Sequence, residues 1–337
     1  MGVTSEPLVP GGVLAIDAGN SKTDVALVAA DGRVLGSARG GGFQPPIVGI
    51  DPAVAVVTEA VERAAAAAGL PAAGDRGGRP LAEHTSACLA NADLPVEEEQ
   101  LQAAVHACGW ARSTYVANDT FAILRAGVEQ PRGVAVVCGA GINCVGLLPD
   151  GRTARFPAIG KISGDWGGGS GLAEEALYFA ARAEDGRGEP TALATSLPAH
   201  FGLRTMYELI EALHLERIPY VRRYELTPVL FATADAGDPV ACSVVDRQAE
   251  EIVCLATVAL RRLDLLDDEA DVVLGGGVMA ASNPRLMGGI TAGLASTAPK
   301  ARAHVVTAPP VLGAALLGLD HTSAPASAQS TLRTHYP

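Results

Sequence analysis

Apolar positions near the start of the chain fall into three short runs, 13–17, 24–30 and 33–38, separated by the polar stretch Gly-Asn-Ser-Lys-Thr and by Asp31-Gly32. Asp-Gly between two such runs favours a tight hairpin, because both residues tolerate positive φ, so the pattern predicts an antiparallel meander. From Asp51 the period changes. Val54, Val57, Val61 and Ala64 or Ala65 recur at helical spacing, with Asp51 placed to cap, Pro52 in the first turn and Gly69 at the close. Residues 71–80, PAAGDRGGRP, predict a surface loop. A strand over 85–89, a helix over 96–107 and a strand over 113–117 complete a first group.

The order then starts again. Strands are predicted over 133–138, 143–148 and 153–156, with a small-residue turn at Gly139 to Ile142 and a second Asp-Gly turn at Asp150-Gly151. Helices follow over 172–183, 206–215 and 238–263, the last with Asp238 as cap and Pro239 at its first position. A strand over 271–276, a helix over 284–295, a strand over 304–307 and a helix over 312–319 end the pattern. Two copies of one strand plan, without detectable residue identity, predict a duplicated α/β fold. At 337 residues the chain exceeds what one core usually holds. The expected division is 11–117 with 309–320 as an N-terminal lobe and 118–308 as a C-terminal lobe carrying a helical insertion at 172–263. The polar tail 321–337 is expected to be disordered.

Composition narrows the function. A net charge of −12, with only 25 Lys and Arg, argues against a nucleic-acid partner, since phosphate backbones are held by cations. The six cysteines form no CxxC pair and sit mostly in apolar segments, which predicts reduced thiols and not a disulfide framework or a zinc ribbon. No run approaches the ~20 apolar residues of a membrane span, and residues 1–12 lack a basic stretch followed by an apolar one. A soluble, cytoplasmic protein is expected.

Five motifs carry candidate chemistry. In DAGNSKTD, Gly19, Asn20, Ser21, Lys22 and Thr23 form a small polar turn whose amides could face an anion, and Asp17 could hold Mg²⁺ through water; a plain β-turn with a capping Asp explains the stretch equally well. The Ser-Lys-Thr here is not a Walker A end, because Ser21 stands where that loop needs Gly and a strand follows. The second turn, Gly139, Ala140, Gly141 and Asn143, occupies the matching place in the second group. Asn118-Asp119-Thr120 opens a helix, so Asp119 is either its cap or a carboxylate that takes a proton from an attacking hydroxyl. In GKISGDWGGGSGLAEEAL, Asp165 either caps or accepts sugar hydroxyls, and Glu174 and Glu175 suit a solvated first helical turn. Gly275, Gly276 and Gly277 end a strand and permit close approach to a flat ligand such as adenine, or simply make a tight turn.

Together and in this order, from about residue 13 to residue 319, these motifs resemble the sugar kinase, heat-shock ATPase and actin superfamily, and within it the N-acetylglucosamine kinase and BadF-type ATPase family. The resemblance implies a duplicated ribonuclease H-like, actin-like ATPase fold with two lobes around a nucleotide cleft. It also implies ATP and Mg²⁺ as cofactors, with Asp17 serving the metal. The turns at Gly19 to Thr23 and at Gly139, Ala140, Gly141 and Asn143 would hold ATP phosphates, and Gly275 to Gly277 the adenosine. Asp119 would be the catalytic base toward a sugar 6-hydroxyl, with Asn118, Gly164, Asp165 and Gln44 in the sugar site. Two departures fall where a sugar would be read: Gln44 in GGGFQPP replaces an Asn, and Gly164-Asp165-Trp166-Gly167 replaces Gly-Asp-Glu-Gly.

The expected acceptor is glucosamine, in the manner of bacterial glucosamine kinases, with N-acetylglucosamine as the alternative. A BadF-type ATPase or a type III pantothenate kinase-like enzyme stands further off. The chain has no CxCGxxGC cluster for a zinc-containing sugar kinase of the ROK group, no cysteines beside Gly167 to Gly169 for an iron–sulfur cluster, and no helix-turn-helix extension for a regulator. ATP and a small amino sugar are the expected partners, with no nucleic acid and no membrane, and a homodimer is the usual arrangement for oligomers of this kind.

Overall fold

Strand β1 (Val9–Ala18) is apolar throughout its second half because alternate side chains enter different layers. Leu14 and Ile16 join Val25, Leu27 and the buried residues of helix α2 (Ile50–Ala67), whereas Val13 and Ala15 join Ala26, Val28 and helix α12 (Pro310–His321). Asp17 continues the second series. It therefore points to the α12 side of the sheet and not toward α2. The computed structural model describes residues 6–336.

The chain divides into two compact units. One comprises Met1–Arg132, Val145–Arg152 and Val306–Pro337; the other comprises Gly133–Cys144 and Thr153–Val305. In the first, β1, β2 (Thr23–Val28) and β3 (Val34–Gly40) form the antiparallel meander, and β4 (Ala82–Leu89) and β5 (Ala111–Asn118) extend it in parallel, in the order β3-β2-β1-β4-β5. The short helix α1 (Pro45–Val48) precedes α2, α3 (Pro95–Ala107) links the parallel strands, and α4 (Thr120–Gly127) follows β5.

The second sheet takes the order β10-β9-β6-β7-β8, from β6 (Gly133–Cys138), β7 (Ile142–Leu147), β8 (Thr153–Arg155), β9 (Ala270–Gly275) and β10 (Ala301–Val305). Counted within its own sheet, each runs third, second, first, fourth, fifth, and in each the fourth strand is parallel to the first. That shared order is the duplication expected from the strand plan. Between β8 and β9 stand α5 (Gly168–Glu184), α6 (Leu193–His200), α7 (Met206–His214), α8 (Leu226–Asp235) and α9 (Pro239–Arg262); α10 (Gly277–Ala280) and α11 (Pro284–Thr297) separate β9 from β10. Asp238 caps α9 by accepting from the Ala241 amide.

Two expectations are corrected. The first unit does not end at residue 117: α4 stays with it, because Gly313 of α12 lies so close to the Ala122 carbonyl that no Cβ would fit between them. This places Asn118 and Asp119 in the first unit. The tail is not disordered within the described residues. It forms α13 (Ala326–His335), held by buried Ala328 and Leu332 and by Arg333, which donates to the carbonyls of Ala126 and Val128. Among the described residues no helix is long and apolar enough to cross a membrane.

Candidate active site

In the first unit, the β1–β2 turn is closed by the Gly19 amide donating to the Lys22 carbonyl at 2.9 Å. Gly42 lies against it so tightly that an added Cβ would stand 2.2 Å from the Asn20 carbonyl oxygen. Gln44 donates through Nε2 to that same oxygen at 2.9 Å, and Asn91 donates through Nδ2 to Asn20 Oδ1 at 3.0 Å. The glycines and Gln44 of GGGFQPP therefore brace the turn. The amides of Asn20 and Ser21 have no backbone acceptor among the described residues. They are the groups a phosphate would meet. Thr23 lies outside this turn, fully buried in β2, and Lys22 pairs with Asp24 at 3.2 Å.

Asp17 is buried, opposite Asp24 on β2 and Cys88 on β4. Burial pushes its carboxyl up to about 8; the carboxylates of Asp119 and Asp24 add to the rise and Lys22 opposes it. Burial alone would raise Asp24 as well, but Arg39, bidentate at 2.7 and 3.1 Å, and Lys22 hold it below its ordinary value. Three carboxylates thus share one neighbourhood with their nearest cations committed to Asp24. Asp17 and Asp119 make no ion pair among the described residues, and a hard divalent cation that keeps most of its waters fits beside Asp17. No group of three or more metal-ligating side chains occurs among the described residues.

This imbalance has a measurable sign. Asp17 ionises near 3.8 in the unfolded chain and at about 8 in the fold, so between those values folding takes up a proton. The contribution of Asp17 to stability without added metal is therefore expected to fall as pH rises from about 4 to about 8. Asp17→Asn should flatten that dependence and unfold at a higher temperature than the parent at pH 8. Melting curves in chelator at several pH values provide the check, and parallel curves for the two proteins would refute the assignment.

Asp119 stands at the start of α4 but makes no capping bond; the Thr120 amide donates to Asn118 Oδ1 at 2.9 Å. Asn118 is buried and its Nδ2 donates to Asp93 at 2.8 Å, so its side chain shapes the strand end. The half-buried Asp119 is raised to about 6 by burial, against the pull of the Thr120 and Asp119 backbone N–H groups. A carboxylate so placed is ionised at neutral pH and basic enough to accept a proton.

In the second unit the turn Gly139–Gly141 is held from behind by α5. The Gly169 and Ser170 amides each donate at 2.8 Å, to the Gly139 and Ala140 carbonyls, and the Gly168 amide donates to the buried Gln248 at 2.9 Å. These bonds use the amides of the α5 N-terminus and leave those of Ala140 and Gly141 without a backbone partner among the described residues. Gly276 abuts the same turn, where a Cβ would stand 2.3 Å from the Cys138 oxygen. Asn143 is turned locally, its Oδ1 accepting from the Cys144 amide.

Two cavities flank this turn, and Ala140 and Ser170 line both. One, of about 590 Å³, has Tyr224, Pro228, Phe231, Val278 and Ala281 as apolar walls and includes Gly277. The other, of about 340 Å³, is lined by Asp165, Trp166, Lys161 and Glu175 among others. Asp165 closes its own loop, Oδ2 accepting from the Gly160 amide at 2.8 Å and the Ser163 hydroxyl at 2.7 Å. Gly164 supplies the left-handed residue of that loop, φ 88°.

Several contributors escaped the sequence reading. Gln248 was detectable as a polar residue on the apolar stripe of α9 beside Val244, Val245 and Ile252. Asn91, with φ 64°, and the walls supplied by α8 carried no pattern of their own.

A duplicated α/β fold with a glycine-rich turn after the first strand of each unit defines the class: the actin-like sugar kinase fold. A candidate N-acetylglucosamine kinase from Chromobacterium violaceum superposes with a TM-score of 0.68 at 24% identity, covering 91% of this chain and 98% of that one. The ROK family glucokinase from Streptomyces griseus, solved with glucose and AMPPNP, superposes at 0.51 with 16% identity, covering 92% and 98%. The model of the BadF/BadG/BcrA/BcrD ATPase family matches residues 14–318, and the chain belongs to that family. Among curated proteins it is 26% identical over 204 residues to the N-acetylmuramic acid/N-acetylglucosamine kinase of Clostridium acetobutylicum, spanning 60% of this chain and 67% of that protein. It is 24% identical over 205 residues to the N-acetyl-D-glucosamine kinase of Dictyostelium discoideum, spanning 60% of this chain and 64% of that one.

Proposed function

We propose that the protein is an ATP-dependent amino-sugar kinase that transfers phosphate to the 6-hydroxyl of glucosamine, giving glucosamine 6-phosphate and ADP. The observation that carries the reading is Asp119. It is a half-buried carboxylate at a helix start, free of a capping duty, raised to about 6, and electrostatically coupled to the buried Asp17. Family membership and the kinase names of both curated relatives support the reaction class.

In this reading Asp119 aligns the acceptor hydroxyl and takes its proton as the bond to phosphorus forms; the leaving oxygen departs with ADP. The amides of the 19–22 turn and of Gly139–Gly141 receive phosphate oxygens. The cavity walled by Tyr224, Phe231 and Val278, with Gly275 to Gly277 at its edge, takes the adenosine. Asp165 and Gly164 meet the sugar hydroxyls in the neighbouring cavity, while Gln44 and Asn118 act from behind by bracing the first turn and the β5 end. Asp17 would hold Mg²⁺ through water, an ion that when bound would neutralise charge on the transferring phosphate.

The test is ADP release, with Mg²⁺, against glucosamine, N-acetylglucosamine, glucose, mannosamine and pantothenate at equal concentration. Turnover highest with glucosamine is the expected result. Preference for N-acetylglucosamine would move the protein toward its curated relatives and make Gln44 and Trp166 tolerated substitutions. Stimulation by no acceptor would refute the kinase and favour an ATPase of another purpose.

A further inference from the structure

The largest wholly buried side chain among the described residues lies outside every cavity described above. Arg125, near the end of α4, has no exposed surface. Its guanidinium donates to both oxygens of Asp320 at 2.7 and 3.2 Å, to the Val128 and Glu129 carbonyls at 3.0 and 3.2 Å, and to Gln329 Oε1 at 2.8 Å. Gln329 closes the ring by donating to Asp320 at 2.9 Å. Arg333, one turn further along α13, donates to the carbonyls of Ala126 and Val128. The C-terminal end of α4 is thus tied to both α12 and α13.

The other end of α4 is continuous with β5: the Asp119 amide donates to the Leu89 carbonyl at 3.2 Å, buried Asn118 accepts from the Thr120 amide and donates to Asp93, and Asp119 itself makes no capping bond. Between the two ends, Gly313 presses on the Ala122 carbonyl with no room for a Cβ. An eight-residue helix is a rod of about 12 Å, so a tilt about that contact is passed from one end to the other.

We propose that the Arg125–Asp320–Gln329 knot is a positioning device for Asp119, and that α13 is thereby part of the support of the reaction centre. The claim rests on the reading of Asp119 as the base. α13 also reaches the sheet that carries Asp17: Gly32, in the β2–β3 turn, lies against the Ala328 carbonyl, and Tyr336 packs on the layer formed by Val13, Ala26 and Leu316. The C-terminal segment therefore braces α4 and the β2–β3 turn at the far end of the sheet from Asp17.

The experiment compares full-length protein with Arg125→Lys, which keeps the charge and loses the fork, and with Arg333→Gln as a milder second variant should the first not fold. Amide hydrogen exchange at residues 119–123 is read first, because it needs no turnover. Exchange about tenfold faster or more there, at the opposite end of α4 from the knot, is expected; loosening confined to residues 125–129 would overturn the proposal. In the kinase assay kcat should fall about 10²-fold, as for a displacement near 1 Å, with KM for ATP and sugar nearly unchanged. In an Asp119→Asn background the same substitution should cost little, and a full additional loss there would also overturn it. A parent protein that phosphorylates no sugar would defeat the kinase reading and leave the exchange result to decide the mechanical one.

Discussion

Replacing Asp119 by Asn should lower kcat by about 10²–10⁴ while the protein stays folded, because the amide keeps the shape and cannot accept the proton. KM for ATP should change little. The pH profile gives the same residue a second test. Since burial raises this carboxyl to about 6, kcat should fall as pH drops through about 6, and that limb should vanish in the variant. The substitution should not destabilise the protein at neutral pH, because a group whose folded value exceeds its unfolded one disfavours folding once ionised. Near-normal turnover by a folded Asp119→Asn protein would remove Asp119 from the chemistry, leaving it only as the first residue before α4.

The sequence already held the frame of this argument. The meander, both Asp-Gly turns, the Asp238-Pro239 start of α9 and the repeated strand plan were legible, because each rests on spacing within a few residues. Where the pattern failed, the cause was long-range. α8 buries Leu226, Leu230, Phe231 and Ala234 on one face, but Pro228 and the short length of the run hid that spacing, and it was missed although it walls a cavity. α13 has only Ala328 and Leu332 as buried anchors; bonds from Arg333 and Gln329 to partners some 200 or 9 positions away hold it in place. No periodicity reports such bonds. The same holds for the site. Asp17, Asp119 and the two turns could be picked out as candidates, yet the mutual repulsion of Asp17, Asp24 and Asp119 depends on strand register and on α4 belonging to the first unit. Gln44 could be picked out for the sugar site, but nothing in the pattern showed that its amide braces the Asn20 carbonyl.

Gly276→Ala should damage nucleotide binding. Gly276 stands at φ 88° and ψ 165°, a region that side chains other than glycine's rarely enter, at a cost of about 1–3 kcal/mol. The new Cβ would also lie 2.3 Å from the Cys138 oxygen and 2.8 Å from the Gly139 nitrogen. Both are backbone atoms, so relief requires moving the β6 end or the β9 end, and with it the Gly139–Gly141 turn and the wall formed by Val278. ATP affinity is expected to weaken at least tenfold, about 1.4 kcal/mol, with a lower melting temperature. Gly288→Ala is the control: it lies in α11, meets nothing within 4 Å, and should be neutral or slightly stabilising, as Ala is in a helix. Calorimetric titration of the two variants with ATP separates the cases. A Gly276→Ala protein that binds ATP like its parent would mean that the glycines after β9 serve only to turn the chain, and the adenosine would have to be sought elsewhere than beside Gly277.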